Sequence, residues 1–186
     1  MTRFYHRITI ISIVLLTTGI CNAYAQRTME GQSSIEAGAS YNGMAGGVSI
    51  DYSQYTLNGF WYTGVSGNDC FALYTKDSRI RYDHICLYGG YLFRLVGTRS
   101  RSINLYGGSE VLVGIELTDP YGELPLQLSA GIEHFRFLYG IAPRILSEFF
   151  ISSRFAFTVF GSIPINFSSA YSNIGYNTGI GVKIML

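Results

Sequence analysis

The chain has 186 residues, of which 48% are hydrophobic, 15% aromatic and only 13% charged, with 22 Gly, 15 Tyr and 12 Phe. A typical soluble domain carries about 25% charged residues, so a water-exposed surface built from this chain would show large apolar patches. Abundant aromatic and branched residues exclude disorder. A formal net charge of +1 lacks the basic excess of a nucleic-acid binder.

The first element is an export signal. Arg3, His6 and Arg7 form a cationic start, Ile8 to Ile20 is an uncharged apolar run, and Ala23-Tyr24-Ala25 is an A-x-A cleavage site. The run is too short for a membrane-spanning helix. Ile20 before Cys21 does not fit a lipoprotein signal. The reading is therefore a signal peptide over 1–25, cleaved after Ala25, and one domain over 26–186. That mature chain has 161 residues, 11 basic and 12 acidic, with two cysteines, Cys70 and Cys86.

No later stretch is long and apolar enough for a spanning helix. The mature chain instead alternates apolar with small and polar residues, a pattern that a strand sorts onto two faces. Strands are predicted near 33–41, 44–55, 59–68, 82–96, 102–116, 135–150, 154–167 and 174–186. From Ile103 to Leu117 the odd positions are mostly apolar, including Val111 and Val113. The even ones include Asn104, Glu110 and Glu116. The segment Phe135 to Ile151 sets Phe137, Ile141 and Phe149 against Arg136, Arg144 and Glu148. Phe157 and Val159 alternate with Thr158, and Val182 and Ile184 with Lys183. In 44–62 the pattern blurs at Tyr52, Trp61 and Tyr62.

These segments exceed the ~5–6 residues usual for sandwich strands and reach the ~9–11 needed to cross a bilayer when tilted. The fold class predicted is all-β, an eight-stranded antiparallel up-and-down transmembrane barrel of the outer-membrane type. Turns near Thr56-Leu57-Asn58, Gly97–Arg101 and Ile151–Ser153 are short. Asn58-Gly59 is a strong turn signal. Connections at 69–81 and 118–134, on the other side, are long, and those near Asn42-Gly43 and 168–173 are short. Pro143 and Pro164 fall inside strands, where bulges or strand ends are expected.

An eight-stranded barrel has an interior that side chains can fill. The inward set is Glu36, Asp51, His84, Arg94, Glu110, Glu116, Arg136, Arg144, Glu148 and Lys183, expected to pair as a structural polar lumen. An ion or proton path is the sharper alternative. Val113 and Val159 should face lipid.

Chemistry beyond this is sparse. His84 and Cys86 share a strand face, yet no set of three or four ligands with zinc spacing exists. No nucleophile elbow, phosphate loop or CxxC pair is present. No cofactor or metal is expected. A barrel hydrolase would need a Ser, a His and a carboxylate at the rim, and Ser129, Glu133 and His134 are the candidates. Cys70 and Cys86 flank the 69–81 connection and could form a disulfide in an exported protein.

The chain resembles the TraO family of conjugal transfer proteins of conjugative transposons. The resemblance rests on Tyr55-Thr56-Leu57-Asn58-Gly59, Lys76-Asp77-Ser78-Arg79-Ile80, Tyr88-Gly89-Gly90-Tyr91, Val113-Gly114-Ile115-Glu116, Phe137-Leu138-Tyr139-Gly140 and Gly179-Ile180-Gly181-Val182-Lys183. None is a catalytic signature. The resemblance implies a non-enzymatic outer-membrane component of a DNA-transfer apparatus, with lipid and other transfer proteins as partners and no direct nucleic-acid binding. A surface adhesion or interaction barrel and a lipid hydrolase are the alternative readings.

Overall fold

The computed structural model describes residues 30–42, 46–75, 78–98, 102–118, 135–170 and 173–186, with the backbone alone over 72–75 and 78–80. The signal segment and the hydrolase candidates Ser129, Glu133 and His134 lie outside the described residues.

Long alternation becomes long strands. They are β1 (Ser33–Tyr41), β2 (Gly46–Thr56), β3 (Gly59–Thr75), β4 (Ser78–Gly97), β5 (Ile103–Thr118), β6 (Phe135–Phe150), β7 (Phe155–Ser162), β8 (Ile165–Asn166) and β9 (Asn177–Met185). Each pairs antiparallel with its neighbour, and two pairings close the sheet. β5 pairs with β6, and β1 pairs with β9 in the register Ser34↔Met185 to Tyr41↔Thr178. β7 and β8 both pair with β6, so they form one interrupted stave and the barrel has eight.

Parity follows the sequence. On β6 the burial alternates through the whole strand, with Leu138, Ala142 and Leu146 inside and Phe137, Ile141 and Ile145 outside. Val113 is 39% and Val159 41% exposed, and both lie on the apolar outer face. The blurred region resolves the same way: Trp61 points out, and Tyr55, Phe60 and Tyr62 point in. A surface of exposed Ile, Val, Leu and Phe is stable only against lipid, as in membrane barrels.

Three expectations need correction. The connection predicted over 69–81 is largely strand, because β3 and β4 continue to Thr75 and Ser78. Polar Asp69, Arg81 and Asp83 hid the alternation there. They form a ladder beyond the apolar band, in which Arg81 grips Asp69 through Nε at 2.9 Å and Nη2 at 2.6 Å. The two prolines differ in effect. Pro164 separates β7 from β8, whereas β6 runs unbroken through Pro143. The Pro143 carbonyl accepts the N–H of Ile163 at 3.0 Å, so pairing persists beside the break. Finally, the disulfide is absent. The β3–β4 register sets Cys70 opposite Tyr82 and Cys86 opposite Ser66, and both thiols are free and buried. A cross-strand disulfide needs Cα atoms roughly 4.4–6.8 Å apart, and a four-residue offset along the ladder exceeds that reach.

Candidate functional site

The barrel has a turn end, carrying the hairpin at Leu57-Asn58 and the Ile151–Arg154 turn, and an opposite loop end. Inward parity on six staves delivers ionisable groups to one interior, and they sort into three layers.

The layer nearest the turn end centres on Lys183 of β9, which is fully buried. Its Nζ lies 3.0 Å from Glu148 Oε1 on β6 and 3.4 Å from Glu36 Oε2 on β1. The ammonium also stands 4.4 Å above the Phe60 ring. Tyr55 donates to Glu148 Oε1, and Tyr106 donates to Oε2 at 3.1 Å. Thr158 donates to Glu36 Oε1. An unpaired buried charge would cost several kcal/mol, and here each carboxylate is met by donors. Gly181 permits this, because a Cβ there would strike Glu36 Oε1 and Thr158 Oγ1.

The middle layer centres on Arg144 of β6, whose side chain is 5% exposed. Nη1 donates to Glu110 Oε2 at 3.0 Å, and Tyr62 donates to the same oxygen at 2.6 Å. The guanidinium lies 4.3 Å from the Phe160 ring centre and 5.1 Å from that of Tyr62. Such stacking suits the flat guanidinium. Tyr88 donates to Asp51 Oδ1.

The layer at the loop end joins His84 Nε2 to Glu116 Oε2 at 2.9 Å. Glu116 also accepts the Ser169 hydroxyl at 2.6 Å and the Ala170 N–H at 3.1 Å. It thereby straps the connection between β8 and β9 to the inner wall.

Of the ten residues predicted inward, Glu36, Asp51, Glu110, Glu116, Arg144, Glu148 and Lys183 are buried in these layers, and half-buried His84 joins them. Arg136 stands opposite Glu116 in the β5–β6 register at the loop end. Arg94 keeps the inward parity, opposite buried Tyr106 in the β4–β5 register, and is half-buried just before the Arg94/Val96 bulge, outside the three layers. The bulge ends the alternation there, and Leu95 and Val96 both face outward. The sequence reading missed the tyrosines. Tyr55, Tyr62, Tyr88 and Tyr106 supply most of the hydroxyls that hold the acids, and their parity with the inward carboxylates was the available signal.

Beyond the apolar band, burial and the nearby Asp69 carboxylate raise the Asp83 carboxyl above its ordinary pKa, against the opposing pull of Arg81. Among the described residues no cluster of three or more His, Cys, Asp or Glu could hold a metal. Between the middle layer and the loop end lies a cavity of about 560 Å³. Its lining includes Ser49, Ser66, Asn68, Tyr82, Arg144 and Asn177.

A closed eight-stranded barrel with an apolar exterior and a paired, charged lumen defines a small barrel of the outer-membrane type. Solved structures agree on the fold. The attachment invasion locus protein Ail of Yersinia pestis is 14% identical over 85% of this chain and 100% of its own, with a TM-score of 0.51. Ail in complex with the heparin analogue sucrose octasulfate gives 0.54 at the same identity and coverage. No protein of curated function matches the chain. Residues 25–186 match the sequence profile of conjugative transposon protein TraO, and the chain belongs to that family.

Proposed function

We propose that the protein is a non-enzymatic anchor in the outer membrane for a conjugative DNA-transfer apparatus, engaging other transfer proteins through its loops or rim. The observation that carries this reading is the family match across the whole barrel, from Ala25 to Leu186. The match begins beside the predicted cleavage position, which supports export. The apolar exterior supports insertion in lipid. The lumen argues against a translocation role. Its turn end is filled by Tyr55, Phe60, Tyr106 and the Lys183 layer, all buried, and an eight-stranded barrel has no room for a nucleic-acid strand.

The test is genetic and biochemical. Removing the gene from a donor strain should abolish transfer of the transposon, and supplying the chain in trans should restore it. The protein should fractionate with the outer membrane and crosslink to other transfer proteins from the loop or turn rim. Normal transfer without the gene, or recovery as a soluble periplasmic protein, would overturn the proposal.

A further inference from the structure

The loop-end cavity is a built polar cup, and the structure carries its chemistry further than an anchoring role requires. About 560 Å³ lies within the ~300–1,000 Å³ usual for small-molecule sites. Its floor is Arg144 with Glu110, and its walls carry hydroxyls and amides, including Ser49, Ser66, Asn68 and Asn177. Aromatic faces stand among them at Tyr82, Tyr88 and Phe160.

Charge selects against ionic ligands. Arg144 is already neutralised by Glu110 at 3.0 Å, and Asp51 lies buried in the same layer. An anion would therefore find no unpaired guanidinium. A cation would need a carboxylate with spare capacity in the lining. Glu110 is the lining acid, and its charge is already met by Arg144. What remains is neutral hydrogen bonding. The wall offers both donors and acceptors, from the hydroxyls of Ser49 and Ser66 and the side-chain amides of Asn68 and Asn177. A sugar hydroxyl both donates and accepts and so suits such a wall, and the C–H face of a sugar ring can pack on an aromatic side chain.

We propose that this cup binds a neutral carbohydrate of one or two hexose units, entering from the loop end and bonding the hydroxyls and amides of the wall. The ligand could be a free oligosaccharide or the end of a surface glycan. This binding is independent of the conjugation role.

The test uses the full chain extracted from the outer membrane into a sugar-free detergent. Maltose, lactose and chitobiose are titrated by calorimetry, alongside sucrose octasulfate and spermidine as an anion and a cation. A neutral disaccharide should bind more tightly than both ionic probes. Ser49→Trp, which fills the cup, should weaken binding at least about tenfold, and Asn177→Ala about fivefold, the equivalent of one hydrogen bond. Val113→Ala on the lipid face should leave it unchanged. Heat-modifiability on gels shows that each variant folds. Lipopolysaccharide added in place of the disaccharide separates the two sources: competition with the bound sugar assigns a surface glycan, and its absence assigns a free one. No binding by all three disaccharides, stronger binding of an ionic probe, or binding unchanged by Ser49→Trp would overturn the proposal. Transfer frequency of the same variants is a separate reading, so failure here leaves the anchoring role standing.

Discussion

The two ends of the lumen use the same parity but different side chains. Toward the turn end, Tyr55, Phe60, Tyr106, Glu148 and Lys183 are at most 2% exposed and fill the space. Toward the loop end, Ser49, Ser66, Asn68 and Asn177 border open volume. The difference is one of size at inward positions, since aromatic rings close a barrel of this diameter and serines do not. The packed half therefore carries the stability, and the hollow half is free to vary.

The largest effect is expected at Lys183. Lys183→Met leaves Glu36 and Glu148 buried without their cation, a loss of about 3–5 kcal/mol. Urea unfolding in lipid should read it, and a loss below ~1 kcal/mol would remove the turn-end layer as the stabilising half. Next, Val113→Arg or Val159→Arg places charge on the lipid face at a cost of about 2–4 kcal/mol. Ser66→Arg, pointing into the hollow half, should assemble normally on heat-modifiability gels. Equal damage from all three would break the contrast between lipid face and cup.

A smaller effect is expected at the strap. Glu116→Gln weakens the bonds to Ser169 and Ala170 by about 1–2 kcal/mol and should speed protease cleavage between Phe167 and Tyr176 without lowering the urea midpoint. Arg94→Ala, outside the layers, should change stability by less than about 0.5 kcal/mol. The pH effect is smallest and confined to the ladder beyond the apolar band. The Asp83 carboxyl is raised in the folded state. The ladder is thus most stable below the ordinary aspartate pKa of about 4 and loses that stability as pH rises through the folded value. Hydrogen exchange at residues 69–71 and 81–83 should quicken over that rise, and Asp83→Asn should remove the change.

Strand existence, parity and most of the lumen were legible because a membrane barrel writes its two environments into alternate residues. Lys183 and Glu148 could be placed inside from their apolar neighbours alone. Arg94 shares their parity, opposite Tyr106, and the bulge just after it sends both Leu95 and Val96 outward, a change that alternation does not foretell. The upper β3–β4 hairpin was hidden for another reason: above the lipid the outward positions turn to Asp69, Arg81 and Asp83, so the apolar stripe stops and the segment reads as loop. The pairing offset between Cys70 and Cys86 is a register property, which sequence spacing does not set. The emptiness of the cup also escaped, as it depends on how far three different staves hold their small residues apart.

The seam between the first and last strands sets the order of assembly. Ser34 meets Met185 across about 150 positions of chain, so this contact bears a large loop-closure entropy and belongs late in folding. Until it forms, β1 and β9 are open edges able to pair with another chain. Lys183 rides on β9 and its partner Glu36 on β1, so that ion pair forms only as the cylinder shuts. The buried lysine thereby favours self-closure over joining a neighbour's edge, because a foreign strand would leave Glu36 without its cation.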